Sequence, residues 1–386
     1  MGSALSNIGS WFQMIAQALL ILQLTHDGSA LGVALAVQSL PMLLIGPFTG
    51  PFLDRADLRR LILIISVISG LQAMTLGILV LAHTINLASI YLLSLFIGVV
   101  QVCLTPANQA LIPQLVAKDA IPSAVSYASI QQTVGRLAGP AAAALVFAWK
   151  GAAACYFVNA LSYVVVFIAV LSLRVDTSHR RGPGRARRQY RDSIAFVWSR
   201  PEIRTPLLAN VTIGLFCFNF QLFFTAFTQL VLHAGAFALG VAESTNALFA
   251  MLGGLYLAHR KIKPSATTYI LGCAGLGLSL VLLAVAPNVI WFLVAMAIFG
   301  LGVSFYQIVS QTTLQLNTPP ERMGSVMVLF SFGTRGTTPV GALLMGWIIS
   351  ATSARAGLGL AGIAAVATAV VLAASSFRRV RGRQVH

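Results

Sequence analysis

Three charged residues lie well inside long apolar runs of the chain: Arg136, Glu243 and Arg335. A charge at the middle of a membrane-crossing helix costs roughly 2.5–3.5 kcal/mol, so such residues usually pair, line a pathway or act in a switch. A carboxyl group can gain and lose a proton, and a guanidinium group binds carboxylates and other anions. We therefore interpret the three residues as candidates for coupling or substrate binding, with structural pairing as the alternative.

Uncharged polar residues form a second set, at helical spacing in four of the apolar runs. In the first run, Gln13 and Gln17 continue a face begun by Ser6 and Ser10, at i, i+4, i+7 and i+11. The further members of this set are Gln101, Asn108, Gln221, Gln307 and Gln311. We predict that these faces line a central pathway. The alternative is hydrogen bonding between helices that only holds the bundle together.

Apolar runs of membrane-spanning length must position these residues. Hydrophobic residues make up 58% of the 386 residues and charged residues 9%, whereas a soluble domain carries about 25% charged residues. Breaks at glycine, proline and charged residues divide the chain into twelve runs, each able to cross a hydrocarbon core of about 30 Å as a helix. The sequence therefore predicts an all-α polytopic membrane protein with twelve transmembrane helices.

The basic residues predict the orientation. The net charge is +16, and of the 25 lysines and arginines only Lys150 and Arg355 fall in loops on the side opposite the termini. Basic residues concentrate in cytoplasmic loops of membrane proteins, so both termini are predicted to be cytoplasmic. The same distribution argues against nucleic-acid binding, because the charge lies in short loops and on no soluble face.

The chain divides into two halves at its longest polar stretch. We predict six-helix bundles over 1–174 and 205–377, a basic cytoplasmic linker with a short amphipathic helix over 175–204, and a basic cytoplasmic tail over 378–386. The fifth and eleventh runs both read Arg-x-x-x-Pro, beginning at Arg136 and Arg335. Parallel repeats of this kind are a known transporter design.

Several motifs resemble the major facilitator superfamily. Residues 50–60 read GPFLDRADLRR, similar to the loop signature between the second and third helices of that family. Residues 135–140 resemble its fifth-helix antiporter motif, and 106–113 and 321–327 resemble the branch that contains the enterobactin exporter and macrolide efflux pumps. The resemblance implies an inner gate formed by Gly50, Asp54, Arg55, Arg59 and Arg60, and a helix-five motif of Gly135, Gly139 and Pro140.

The resemblance also implies a function. It predicts a transporter of the bacterial cytoplasmic (inner) membrane that works as a monomer and exports a small amphiphilic molecule, drug- or siderophore-like, by proton antiport. Because the fifth and eighth helices of this family face each other, Arg136 and Glu243 are predicted to pair until Glu243 is protonated. An importer or a lipid flippase is the alternative.

A membrane-embedded enzyme is the remote alternative. The six histidines are scattered, there is no HExxH motif, and no two acidic residues pair inside the apolar runs. The four cysteines lie in apolar runs without a CxxC pair, as expected of small buried side chains. We therefore predict no catalytic residue, no cofactor and no metal site.

Overall fold

The computed structural model describes residues 2–46, 49, 56–115, 121–172, 196–260, 265–319 and 322–383. In the first half, four helices are α1 (Gly2–Thr25), α2 (Gly28–Ile45), α3 (Leu58–Leu81) and α4 (Leu87–Leu115). The fifth and sixth share the helical element Ile121–Leu171, which bends at Gly151 into α5 (121–150) and α6 (152–171).

The bend at Gly151 is a helical hairpin. Gly151 has φ of +76°, in the left-handed region that glycine enters without steric cost. Across the bend, the Cys155 thiol lies 3.6 Å from the Ala143 carbonyl oxygen, so α6 folds back along α5.

The second half contains two irregular helices. The seventh helix, α7, is built from Pro201–Cys217, Phe220–Ala226 and a π-helical turn, Phe227–Val231. The eleventh, α11, is built from Met323–Ser331, a π-helical turn Phe332–Gly336 and Thr338–Ala351. The others are α8 (Ala236–Arg260), α9 (Ala266–Ala284), α10 (Val289–Asn317) and α12 (Ala354–Arg383).

The helix count confirms the predicted fold class. Within the described ranges, ten segments are long and apolar enough to span a membrane. One of these ten holds both α5 and α6, and α11 is not among the ten, so the ten segments and α11 together account for twelve helices. The described residues therefore form twelve helices and no strand, as the predicted all-α fold class requires.

Short polar side chains set several helix starts. Asp27 accepts a hydrogen bond from the Ser29 backbone N–H (2.8 Å) at the start of α2, and Asp57 accepts one from Arg60 (3.0 Å) at the start of α3. Ser265 and Thr268 form a reciprocal capping box at the start of α9. Such caps satisfy backbone donors that the helix itself leaves unpaired.

The chain forms two compact units. Unit 1 comprises the described residues of Met1–Gly184 and His233–Ser244, and unit 2 those of Arg185–Leu232 and Thr245–His386. In unit 1, α1 and α3 pack on the α5–α6 hairpin, and α2 packs on α4. In unit 2, α9 packs on α12, and α7 packs on α11 and α12. The packing of α1 and α3 on the α5–α6 hairpin thus corresponds to the packing of α7 and α9 on α11 and α12.

Close approaches at glycine support this equivalence. A Cβ atom on Gly98 of α4 would overlap the Gln38 carbonyl oxygen of α2 and lie 3.2 Å from Pro41. A Cβ atom on Gly300 of α10 would lie 2.5 Å from the Asn246 carbonyl oxygen of α8. In each unit, a glycine lets the helix backbones touch at corresponding positions.

Candidate functional site

The described part of the predicted inner-gate motif is its basic end. Arg59 and Arg60 lie in the first turn of α3, whereas Gly50, Asp54 and Arg55 lie outside the described residues. The Arg59 guanidinium donates to the Val170 and Leu171 carbonyl oxygens, at 3.2 and 2.6 Å. Arg59 therefore caps the last turn of α6, a favourable place for a cation, and fixes the start of α3 beside it.

The three intramembrane charges have different exposures. Arg136 on α5 and Arg335 on α11 are exposed, and Arg335 lies in the π-helical turn Phe332–Gly336. Glu243 on α8 is 7% exposed. An exposed guanidinium at mid-span is expected to face an aqueous cavity, because contact with hydrocarbon would be far more costly. Coupling or substrate binding by these residues stays a prediction.

The glycines of the helix-five motif let α1 lie against α5. A Cβ atom on Gly135 would lie 2.7 Å from Asn7 Nδ2, and one on Gly139 would lie 2.7 Å from the Trp11 ring. Asn7 Nδ2 also donates to the Gln132 carbonyl oxygen, at 3.5 Å. The motif thus builds a close helix pair within unit 1.

Helix α8 meets the C-terminal half of α5 at its own glycine. A Cβ atom on Gly240 would overlap the Ala144 methyl group and lie 2.7 Å from the Pro140 carbonyl oxygen. Glu243 follows Gly240 by three residues, so it lies on the same side of α8 one turn further along. The structure therefore brings the buried carboxyl group onto the side of α8 that packs on α5.

Two of the predicted cavity-lining residues belong to a buried hydrogen-bond network. Gln13 accepts from Asn159 Nδ2 (2.6 Å) and donates to Gln72 Oε1 (3.2 Å), and Gln72 donates to the Leu93 carbonyl oxygen (3.4 Å). Gln17 donates to Ser94 Oγ, at 3.0 Å. The network joins α1 to α3, α4 and α6. Such bonds between helices are what the alternative to pathway lining predicts for this polar face. Lining of a pathway by these two residues stays a prediction.

The remaining polar candidates are more accessible. Gln101 is half-buried and lies 3.4 Å from the Tyr163 hydroxyl, and Asn108 is exposed. In unit 2, Gln221 and Gln307 are half-buried and Gln311 is exposed. These five side chains stay candidates for contact with a solute.

Sequence reasoning missed a pair of equivalent asparagines. Asn210 on α7 donates to the Phe330 carbonyl oxygen of α11 (2.8 Å), as Asn7 on α1 does to Gln132 of α5. Asn210 Oδ1 also accepts from the Tyr306 hydroxyl, at 3.2 Å. The sequence signal that could have revealed this pair is an asparagine on the first helix of each half.

The interruption of α7 was also missed. The helix breaks at Phe218 and Asn219, where Asn219 Nδ2 donates to the Leu215 carbonyl oxygen (3.1 Å). Asn219 Oδ1 is buried and has no hydrogen-bond partner among the residues that the structure describes. Aromatic rings surround the break, with Phe218 5.0 Å from Phe220 and 6.1 Å from Tyr306 between centroids. Discontinuous helices of this kind mark binding sites in transporters.

Comparison with known proteins places this arrangement in a family. The model described as Major Facilitator Superfamily matches residues 1–336 and 268–385. The chain is 23% identical over 340 residues to the staphyloferrin A transporter of Staphylococcus aureus, covering 88% of this chain and 85% of that one. It is 22% identical over 355 residues to macrolide efflux protein A of Streptococcus pyogenes, covering 89% and 86%.

A solved structure shares the fold. The crystal structure of the nucleoside transporter NupG superposes with a TM-score of 0.75 at 14% identity, covering 97% of this chain and 96% of that one. At this identity the likeness concerns the arrangement of helices alone.

Proposed function

The chain belongs to the major facilitator superfamily, and we propose that it exports a small amphiphilic molecule by proton antiport. Family membership confirms the sequence resemblance and makes the protein a multi-pass membrane transporter. The direction, the substrate class and the coupling ion are our proposal.

The observation that carries the export direction is the match to efflux proteins along nearly the whole chain. Macrolide efflux protein A and the multidrug efflux pump Tap of Mycolicibacterium fortuitum align over 89% and 90% of this chain. The staphyloferrin A transporter aligns over 88%. Macrolides and siderophores carry polar groups on a large body. A site for such molecules needs both polar and aromatic side chains, and Gln221, Gln307 and Phe218 are candidates in unit 2.

The proposed setting is the cytoplasmic membrane of a bacterium, with both termini inside and a single chain as the working unit. The bacterial relatives support the setting, and the distribution of basic residues supports the orientation. In this orientation, residues 50–60 form the inner gate, and Arg59 anchors that gate by capping α6.

The proposed coupling device is the pair Arg136 and Glu243. Glu243 is buried on the side of α8 that packs on α5 at Gly240, and Arg136 lies on α5 one turn before Pro140. While Glu243 is ionised, the two charges attract and hold α5 and α8 together. Protonation removes the attraction and leaves Arg136 available to an anionic or polar substrate. Proton binding at Glu243 is thereby linked to the contact between α5 and α8 and to the availability of Arg136.

The test uses purified protein in liposomes, sorted for vesicles whose outer face carries the arginine-rich loops. Staphyloferrin A and a macrolide serve as probes, and the lumen is made acidic. Export by proton antiport predicts accumulation of a probe in the lumen that stops when an ionophore collapses the gradient. Empty liposomes are the control.

Three outcomes would contradict the proposal. Accumulation only when the gradient is reversed would indicate proton-coupled import. Movement of a fluorescent phospholipid without uptake of either probe would indicate a flippase. Equal uptake with and without the gradient would exclude proton coupling.

A further inference from the structure

A cluster of arginines and aromatic rings lies just before α7, at the arginine-rich end of unit 2. The Phe196 ring has two guanidinium groups over it, those of Arg200 and Arg322, at 5.1 and 4.6 Å from its centroid. The Arg204 guanidinium lies 5.7 Å from the Trp198 ring. We name these five residues the arginine–aromatic platform.

The platform is fixed to the bundle by one buried side chain. Val197 is 6% exposed and packs in a core cluster with Ile203, Leu207, Leu314 and Val326. These residues belong to the ends of α7, α10 and α11. The single helical turn at 196–199 therefore contacts all three helices through Val197. Phe196 packs against the same cluster, so the turn that carries both rings is anchored to these helices.

The platform presents charge to its surroundings. Arg200 and Trp198 are exposed, Trp198 at 55%. A guanidinium over a ring uses its face for the cation–π contact and can donate hydrogen bonds from its N–H edge. Arg204 directs one of these donors, Nη1, to the Trp198 carbonyl oxygen at 3.4 Å. That edge matches two oxygens of a phosphate group. Glu202, in the first turn of α7, is also exposed.

The position favours a lipid as the source of the phosphate. An exposed tryptophan at the end of a spanning helix is typical of the membrane–water interface. Basic pockets at the cytoplasmic ends of spanning helices bind acidic head groups. We propose that the arginine–aromatic platform is a binding site for the phosphate head group of an anionic phospholipid. This proposal does not depend on the transported substrate.

Native mass spectrometry of the purified full chain tests the proposal, with phosphatidylglycerol and phosphatidylcholine as probes. Loss of one arginine at a membrane surface is expected to weaken binding of an anionic lipid about five-fold. Arg200→Gln should therefore lower retention of phosphatidylglycerol about five-fold, and Arg200→Gln with Arg204→Gln should lower it further. Phosphatidylcholine retention should not change.

Arg260→Gln is the matched control, because the Arg260 guanidinium also lies over a ring, that of Tyr256 at 5.6 Å, at the end of α8. Equal loss of phosphatidylglycerol in this variant would mean that any arginine on this surface has the same effect. That outcome would contradict a specific site at the platform. Undiminished retention in the double variant would overturn it as well. Competition by inorganic phosphate at the same concentration would indicate a soluble-anion site and overturn the lipid assignment. If the double variant unfolds, Arg200→Gln alone decides, because that side chain is exposed.

Discussion

The contact between α7 and α11 depends on Gly214 having no side chain. A Cβ atom there would overlap the Gly333 carbonyl oxygen and lie 2.7 Å from Thr337 Oγ1 and 3.0 Å from the Gly333 carbonyl carbon. The Thr337 hydroxyl cannot turn aside cheaply, because it donates to that same carbonyl oxygen at 2.9 Å. Gly214→Ala therefore forces α7 and α11 apart.

The expected cost follows from these contacts. Overpacking a core costs typically about 1–3 kcal/mol. Separation of the helices would also stretch the bond from Asn210 to Phe330, one turn away, and such bonds in membranes are worth about 0.6 kcal/mol on average. The higher helix propensity of alanine returns up to about 1 kcal/mol. The net destabilisation is about 1–3 kcal/mol.

Thermal unfolding of the purified variants in detergent measures this effect. At about 2–4 °C for each kcal/mol, Gly214→Ala should lower the apparent Tm by about 2–12 °C. Gly275→Ala on α9 is the matched control, because a Cβ atom there meets nothing within 4 Å, and its Tm should be unchanged or slightly raised. Equal Tm values for the two variants would refute the close contact.

Three further predictions concern the gate, the topology and the polar network. Asp54→Asn should abolish transport while expression stays near that of the wild type, and full transport would make the loop an orientation signal only. Thiol labelling of cysteines placed at Lys150 and at His386 should occur from opposite sides of the membrane, and labelling from one side would exclude the proposed topology. Gln13→Leu should cost about 1–2 kcal/mol because it leaves buried amides unpaired, whereas the exposed Gln23→Leu should cost nothing measurable.

The fold could be predicted because its determinants are local. Each run of about twenty apolar residues must become a helix in a bilayer, since every backbone polar group has to be paired within the segment. The resemblance also singled out Gly135 and Gly139, which lie at the close contact between α1 and α5. Only the structure shows that Asn7 and Trp11 fill that contact.

The irregular features could not be read in the same way. The π-helical turn around Arg335 and the break at Asn219 are backbone irregularities that an apolar run does not by itself predict. The partners of Gln13 also depend on neighbours distant in sequence. Whether a polar face lines a pathway or bonds to other helices depends on what lies opposite it at the same depth, here Gln72 and Asn159.

The central claim is that proton movement and export meet at Glu243. The most direct measurement compares proton-driven accumulation of the transported probe by wild type, Glu243→Gln and the exposed control Glu202→Gln in the same liposomes. We predict that Glu202→Gln matches the wild type and that Glu243→Gln loses its dependence on the proton gradient. We also predict that exchanging Glu243→Arg with Arg136→Glu partly restores this dependence. Unchanged proton dependence in Glu243→Gln would contradict the account.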